Sequence, residues 1–415
     1  FIHHKFNAMK ITSDPYGIYR EERIKKSGIR EAFTPNSPIL DIELFSGRKD
    51  EVAKIIECLN TKGQHILLYG DRGVGKSSLA KISCLILNHA GIANGQLYQK
   101  RCDSHDTFKS IVTSVLNSIG IESNTIAYES EKSVGFEKIL HANKKSKASK
   151  EGNAVNSLSP SWVVEKIKDI NGILLIDEFD VIAKASEKKK IAEMIKLLSD
   201  YGSSLTIFIV GIAETANILM GGHASVNRCL KEIKLGRMNK DELNEIIKKG
   251  EERTSIKFDA AVKKQIVALS SGYAHYTHLL ALKAAEEAIA EERTNITKND
   301  LRIAMQKAAG DAEGSLKQAY DNAIRSSRKK DEFKNIVIAA ALCGDDEFRA
   351  VELRTQYEKF TGKAIAQNEL NNYFAKLISR DDSCILKRLG TGVYRFTDPR
   401  MPSYVRIANN LAQAV

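Results

Sequence analysis

From Glu43 to about Gly236, short apolar runs alternate with stretches of helical periodicity. His65 to Tyr69, Gly172 to Ile176 and Thr206 to Val210 are such runs, each followed by a polar or glycine-containing turn. Runs of that length with few internal polar residues suit strands covered by helices on both faces. The pattern therefore predicts an α/β fold built on a parallel sheet. In such a sheet the functional loops lie at the carboxyl ends of the strands.

After Gly236 the pattern changes. Lys240 to Gly250, Asp259 to Ser270, Tyr273 to Glu292 and Lys298 to Ala309 read as four helices with no strand between them, a small helical lid. Ser315 to Ser327 is a further helix, leading to the basic junction Arg328, Lys329 and Lys330. Beyond it come three helices (Phe333 to Leu342, Val351 to Thr361, Gln367 to Ser379), a hairpin turning at Gly390 to Gly392, and a last helix after Pro402. This C-terminal part reads as a winged helix. The chain thus divides into an N-terminal segment (1–44), an α/β domain (45–236), a lid (237–310), a linker helix (311–330) and a winged helix (331–415). Within the α/β domain, Asn143 to Asn153 has Ala148 as its only apolar side chain and cannot bury a face. It predicts a mobile insertion at about 121–159; the alternative is a basic loop that grips a phosphate backbone.

Composition narrows the class. A chain of 415 residues with 43% hydrophobic and 28% charged content supports two or three soluble globular domains. No apolar run approaches the roughly 20 residues that cross a bilayer, and Phe1 to Lys10 is not a charged leader into a hydrophobic stretch, so the expectation is a cytoplasmic protein without membrane contact. The cysteines, Cys58, Cys84, Cys102, Cys229, Cys343 and Cys384, are scattered without Cys-x-x-Cys spacing, which argues against zinc and disulfides. A net charge of +11 tilts toward a polyanionic partner, provided the charge is localised.

One segment carries explicit chemistry. Gly70, Asp71, Arg72, Gly73, Val74, Gly75, Lys76 and Ser77 satisfy the P-loop pattern between a predicted strand and a predicted helix, with Ser78 following in the first turn. Glycines let backbone N–H groups converge on phosphate oxygens, and the helix amino terminus adds positive potential. Lys76 is expected at the β- and γ-phosphates of ATP and Ser77 at Mg2+. Ile173 to Ile176 is an apolar strand ending in Asp177 and Glu178. There Asp177 is expected to hold the metal and Glu178 to polarise the attacking water, while Asp180 reads as a helix cap. Asn239-Lys240-Asp241-Glu242 has its acid in the wrong place to read guanine.

With these parts in order, residues Phe45 to Val415 resemble AAA+ ATPases of the origin-initiator clade and their bacterial relatives. The resemblance implies further roles. Gly47 and Arg48, upstream of the P-loop, look like the segment that walls the adenine pocket. Arg228, in Ser225-Val226-Asn227-Arg228, resembles the arginine finger that reaches a neighbouring subunit's nucleotide, which implies a homo-oligomer; the alternative is a surface pair with an acid such as Glu232. Glu214 occupies the place of a polar γ-phosphate sensor, and His275, in Gly272-Tyr273-Ala274-His275, that of the second-sensor arginine, with Tyr276 or His278 as competitors. An ionised carboxylate cannot donate a hydrogen bond, and imidazole compensates phosphate less than guanidinium does. Both departures imply slow hydrolysis, suited to a switch.

In the third C-terminal helix Leu370, Tyr373, Phe374 and Leu377 share one face, which leaves Asn368, Asn371, Asn372 and Lys376 for a partner. Amide side chains can bond adenine in the major groove, and Lys387, Arg388 and Arg395 on the wing can meet phosphates. Tyr394 and Phe396 are expected in the core. DNA is the expected partner; the alternative is an ATPase regulator of a protein partner in a signalling or defence system.

Overall fold

The computed structural model describes residues 16–89, 96–121, 158–213, 215–219, 226, 228–312, 314–325, 330–344, 347–378 and 384–412. The predicted insertion at Asn143 to Asn153, Glu214 and the Arg328–Lys329 junction lie outside them. The chain forms two compact units, Pro38–Gly236 and a second made of the residues up to Ser37 together with those from Arg237 onward.

The first unit holds a five-stranded parallel sheet. Its strands β1 (His65–Gly70), β2 (Gln96–Arg101), β3 (Gly172–Asp177), β4 (Leu205–Ile212) and β5 (Leu230–Lys234) are ordered β2-β3-β4-β1-β5. Every residue of β1 and β3 is buried, as apolar runs covered on both faces require. β2 escapes the run criterion because it is an edge strand, with only Tyr98 fully buried. Helices α1 (Lys49–Leu59) and α2 (Lys76–His89) lie on one face; α3 (Phe108–Ser118), α4 (Pro160–Ile167) and α5 (Ala185–Asp200) lie on the other. On the latter side Leu67, Leu174, Ile176, Ile207 and Ile209 form one core with Phe108, Val163, Val164, Ile191 and Ile195. Local chemistry sets the helix starts. Thr107 and Ser110 make a reciprocal capping box for α3, and Ser159 caps α4 just before Pro160.

The second unit begins with helices Ile18–Lys26 and Ile29–Ala32, which lie against the helical region that follows Arg237. That region contains α6 (Lys240–Thr254), α7 (Ala260–Ser270), α8 (Ala274–Ala290) and α9 (Lys298–Gly310). Arg20 pairs with Glu287, and Arg30 with Glu286. The Phe33 ring lies over Gly250, where any side chain would collide with it. The sequence pattern predicts no strand in this region, yet Lys257–Phe258 (β6) and Asn295–Ile296 (β7) form a parallel pair. Two-residue strands are too short to leave a periodic signal.

Next come α10 (Gly314–Arg325), α11 (Lys330–Cys343), β8 (Phe348–Arg349), α12 (Ala350–Thr361), α13 (Gln367–Leu377), β9 (Leu386–Gly390), β10 (Val393–Phe396) and α14 (Met401–Ala408). The last three strands make an antiparallel sheet ordered β8-β10-β9. Leu370, Tyr373, Phe374 and Leu377 are the buried face of α13, as their spacing predicts. Phe374 stacks on Tyr394 with ring centres 4.1 Å apart, and Phe396 is buried beside them. Among the described residues no helix is long and apolar enough to cross a membrane.

Candidate nucleotide site

β1 delivers the chain into the loop 71–75, and α2 opens at Lys76. Gly73 and Gly75 have φ of 82° and 97°, in the left-handed region where side chains are disfavoured. Nothing within 4 Å fills the space beyond Gly75, so the loop keeps an open concave side toward which a phosphate can approach. Lys76 is 8% exposed, and its Nζ donates to the carbonyls of Gly70 (3.0 Å) and Asp71 (2.6 Å). Burial pushes its pKa down to about 8, opposed by the carboxylates of Asp180, Asp71 and Asp177.

The ends of β3 and α2 meet across β4. Ser77 Oγ donates to Asp177 Oδ1 at 3.1 Å, and the same oxygen accepts the Glu178 N–H at 2.9 Å. A hydroxyl and a carboxylate this close supply two of the hard oxygen ligands that a divalent cation takes alongside phosphate oxygens. The buried Lys76 ammonium, folded back onto the carbonyls of its own loop, is a cation that a phosphate oxygen can bind more strongly than a neutral carbonyl does. The residues present therefore fit a nucleoside triphosphate with Mg2+.

Glu178 adopts a left-handed conformation, φ 58°, and accepts from Arg101 Nη2 at 2.7 Å. That hydrogen bond holds its carboxyl below the usual range. Arg101 sits at the end of β2, in register with Asp177. The sequence offers no signal for this residue, because only strand pairing brings an edge-strand arginine beside the strand that ends in acids. Asp180 requires a correction: it does not cap α5. It lies in the 3-10 turn Phe179–Val181, where its Oδ1 accepts the Ile212 N–H at 2.8 Å, because β3 and β4 are neighbours. From that turn it faces Lys76 electrostatically.

Arg48 and Gly47 both have positive φ, and the Arg48 side chain is buried behind the P-loop. Its Nη2 donates to Val74 O (3.2 Å) and Gly236 O (2.7 Å), and Nη1 faces Glu51. Ser78 Oγ accepts the Ile39 N–H at 3.1 Å, so the chain before Phe45 reaches the P-loop helix. Arg228 stands just before β5, next to Cys229, whose carbonyl accepts the His65 N–H. This is the amino end of the sheet, one strand length, roughly 17 Å, from the P-loop. Its ion pair is with Asp200 at 2.6 Å, not with Glu232.

His275 lies in the other unit. Its Nδ1 donates to Pro35 O at 2.9 Å, which fixes the tautomer since a carbonyl only accepts. The two competing residues turn inward. His278 is buried, accepts the Thr34 N–H, and has its pKa pushed down to about 4 by burial. Tyr276 is buried and donates to Arg400 O. In the C-terminal region Asn368, Asn371, Asn372 and Lys376 are exposed on α13, away from its buried face. Asn371 accepts from Gln367, and Lys376 lies over the Phe333 ring. Arg388 is exposed, and Arg395 stands directly opposite Lys387 in the β9–β10 ribbon.

A P-loop at the end of β1, acids at the end of β3 and the strand order β2-β3-β4-β1-β5 define a P-loop nucleoside triphosphatase with the AAA+ arrangement of strands. The chain belongs to the family described as Novel STAND NTPase 1, matched over residues 33–380. Its fold is similar to that of the Walker-type ATPase PABY2304 of Pyrococcus abyssi, at 18% identity and TM-score 0.50, covering 89% of this chain and 99% of that one. Weaker likenesses are to the Aeropyrum pernix ORC2 protein in ADPNP-ADP complexes (15%, TM-score 0.49, 93% and 98% covered) and the Aeropyrum pernix ORC1 protein in complex with DNA (12%, TM-score 0.48, 94% and 98% covered). No curated protein matches the sequence.

Proposed function

We propose that this protein binds ATP with Mg2+, hydrolyses it slowly, and uses the bound state to switch an assembly of its own copies on DNA. The observation that carries this reading is the meeting of Lys76, Ser77, Asp177 and Glu178 at the carboxyl ends of β1 and β3, with Glu178 held by Arg101. Lys76 binds β- and γ-phosphate oxygens, and Ser77 and Asp177 hold the metal. Mg2+ supplies charge neutralisation at the phosphate oxygens when bound. Glu178, once released from Arg101, accepts a hydrogen bond from the attacking water. That water's oxygen bonds to the γ-phosphorus as the bridging P–O bond breaks and its proton passes to Glu178 and on to solvent, giving ADP and phosphate. Adenine rather than guanine is favoured because Asn239-Lys240-Asp241-Glu242 has its acid in the wrong place to read guanine, and Asn239 and Glu242 instead form a capping box for α6.

Arg228 faces away from its own P-loop, so its service as a finger requires a neighbouring copy. The C-terminal elements are read as a winged helix with α13 as the recognition helix. Lys387 and Arg395 stand opposite each other across the β9–β10 pair, a placement in which both can meet one phosphate backbone. A second reading, regulation of a protein partner, is favoured by the exposed apolar side chains Val351, Phe360 and Leu389 in the same region.

Fluorescence anisotropy of labelled duplex DNA, with and without non-hydrolysable ATP, tests the choice. Binding that requires ATP and persists near physiological salt supports the DNA switch. Binding that salt erases regardless of ATP, or none, overturns it in favour of the protein partner.

A further inference from the structure

The turn between α7 and α8 holds two parts of its unit at once. Ser271 and Gly272 are consecutive left-handed residues, with φ of 50° and 84°. A Cβ on Gly272 would lie 2.5 Å from Arg237 Cβ and 2.9 Å from Met238 O, so residues 237–238 run in direct contact with this turn. The Met238 N–H donates to Gly272 O at 2.8 Å. Arg237 is the first residue after the first unit ends, and its guanidinium stands 4.9 Å over the Tyr273 ring.

Tyr273 is wholly buried and uses both capacities of its hydroxyl. It accepts from Arg237 Nε at 3.0 Å and donates to Pro399 O at 3.1 Å, just before α14. Its neighbours in the turn reach the same end of the chain. Arg406 Nη1 donates to Ser271 Oγ at 2.6 Å, Ser403 Oγ to Ser270 O at 3.4 Å, and Tyr276 Oη to Arg400 O at 3.4 Å.

On the other side of the Gly236–Arg237 bond, Gly236 O is held by Arg48, which also holds Val74 O in the P-loop. Each of these contacts lies inside one unit, and the Gly236–Arg237 peptide bond joins the two sets.

We propose that Tyr273 is a positioning residue that couples the nucleotide site to the C-terminal region. A change in the P-loop at Val74 passes through Arg48 to Gly236, along the chain to Arg237, and through the Tyr273 hydroxyl to Pro399 and α14. The lid and the C-terminal helices then respond to nucleotide as one body. This rests on the nucleotide reading above, and it adds a route and a residue that neither motif nor family assigns.

The test is amide hydrogen exchange on the full chain with and without non-hydrolysable ATP and Mg2+, in wild type and in Tyr273→Phe, which keeps the ring and removes the hydroxyl. Wild type is expected to show nucleotide-dependent protection both in the P-loop and in the α14 amides. In Tyr273→Phe the P-loop protection persists, while the α14 change shrinks by about fivefold, the worth of one net hydrogen bond. Arg237→Met breaks the same link from the other side and serves if the tyrosine variant does not fold. An α14 response that is equal in wild type and variant, or absent in wild type while the P-loop is protected, overturns the coupling alone. Absence of P-loop protection overturns the nucleotide reading and the coupling with it.

Discussion

Arg101 Nη2 lies 2.7 Å from Glu178 Oε1, so the carboxylate expected to polarise water is engaged by a guanidinium from the neighbouring strand. The pair is solvent-accessible, with the arginine side chain 77% and the glutamate 40% exposed. Exposed pairs of this kind are worth about 0.2–1 kcal/mol, so this one restrains Glu178 without locking it. Arg101→Ala is expected to raise basal ATP hydrolysis by up to about fivefold, the rate equivalent of the upper end of that energy, with nucleotide Kd unchanged. Steady-state phosphate release reads this out; an unchanged or lower rate counts against a restraining role.

Glu178→Gln keeps the size of the side chain and removes the charge that polarises water. We expect ATP binding close to wild type and hydrolysis reduced by about a hundredfold or more. Normal turnover in this variant would remove Glu178 from the mechanism.

The pKa of Lys76 gives a pH dependence with a definite sign. In the folded chain burial brings it from its ordinary 10.5 to about 8, so between these values the unfolded chain holds a proton that the folded chain has lost. Folding stability therefore rises with pH across that window, and below pH 8 the buried ammonium is a cost. Triphosphate favours the protonated form, so above pH 8 binding must take up a proton. ATP affinity should be flat below pH 8 and fall by up to about tenfold per unit above it. Titrations at pH 7, 8 and 9 distinguish this from a flat profile, and Lys76→Ala should abolish binding at all three.

Arg228→Ala is expected to lose hydrolysis while ATP affinity stays near wild type, since the residue stands at the end of the sheet away from its own P-loop. Mixing it with Lys76→Ala chains should restore activity, because the second chain can lend its arginine to a site it cannot fill itself. Full activity of the single variant would leave Arg228 with only its pair to Asp200.

Phe374 joins α13 to the β9–β10 ribbon through its stack on Tyr394. Phe374→Ala should destabilise the C-terminal region by about 3–5 kcal/mol. Nucleotide binding by the Pro38–Gly236 unit is expected to survive, so a melting transition that splits in two, monitored with and without ATP, is the expected signature.

What the sequence made legible follows from what each element needs. β1, β3 and β4 are buried on both sides and must be written in apolar residues; the P-loop must be written in glycine, lysine and serine. The buried face of α13 was readable for the same reason, since Leu370, Tyr373, Phe374 and Leu377 repeat at helical spacing. β2 was not, because an edge strand buries one residue in several and its charged end, Arg101, acquires meaning only from pairing with β3. Asp180 was misread because a carboxylate after a strand can serve the helix ahead or the strand beside it, and only topology decides. Arg48 was placed by its position upstream of the P-loop, but its carbonyl partners Val74 and Gly236 are 26 and 188 positions away.

The residues around Ile24, Ile29 and Phe33 leave the ribosome before the Pro38–Gly236 unit, but the surfaces that bury them are synthesised after it. Domains fold in the order in which they are made, so the sheet can close around its nucleotide loop while this leading segment still lacks Gly250, Phe258 and His278. During every round of synthesis, then, a short apolar stretch is exposed for as long as the ribosome takes to translate an entire domain. Glu21, Glu22, Arg23, Lys25, Lys26 and Arg30 are interspersed with its apolar positions, the charged pattern that guards exposed apolar stretches against association.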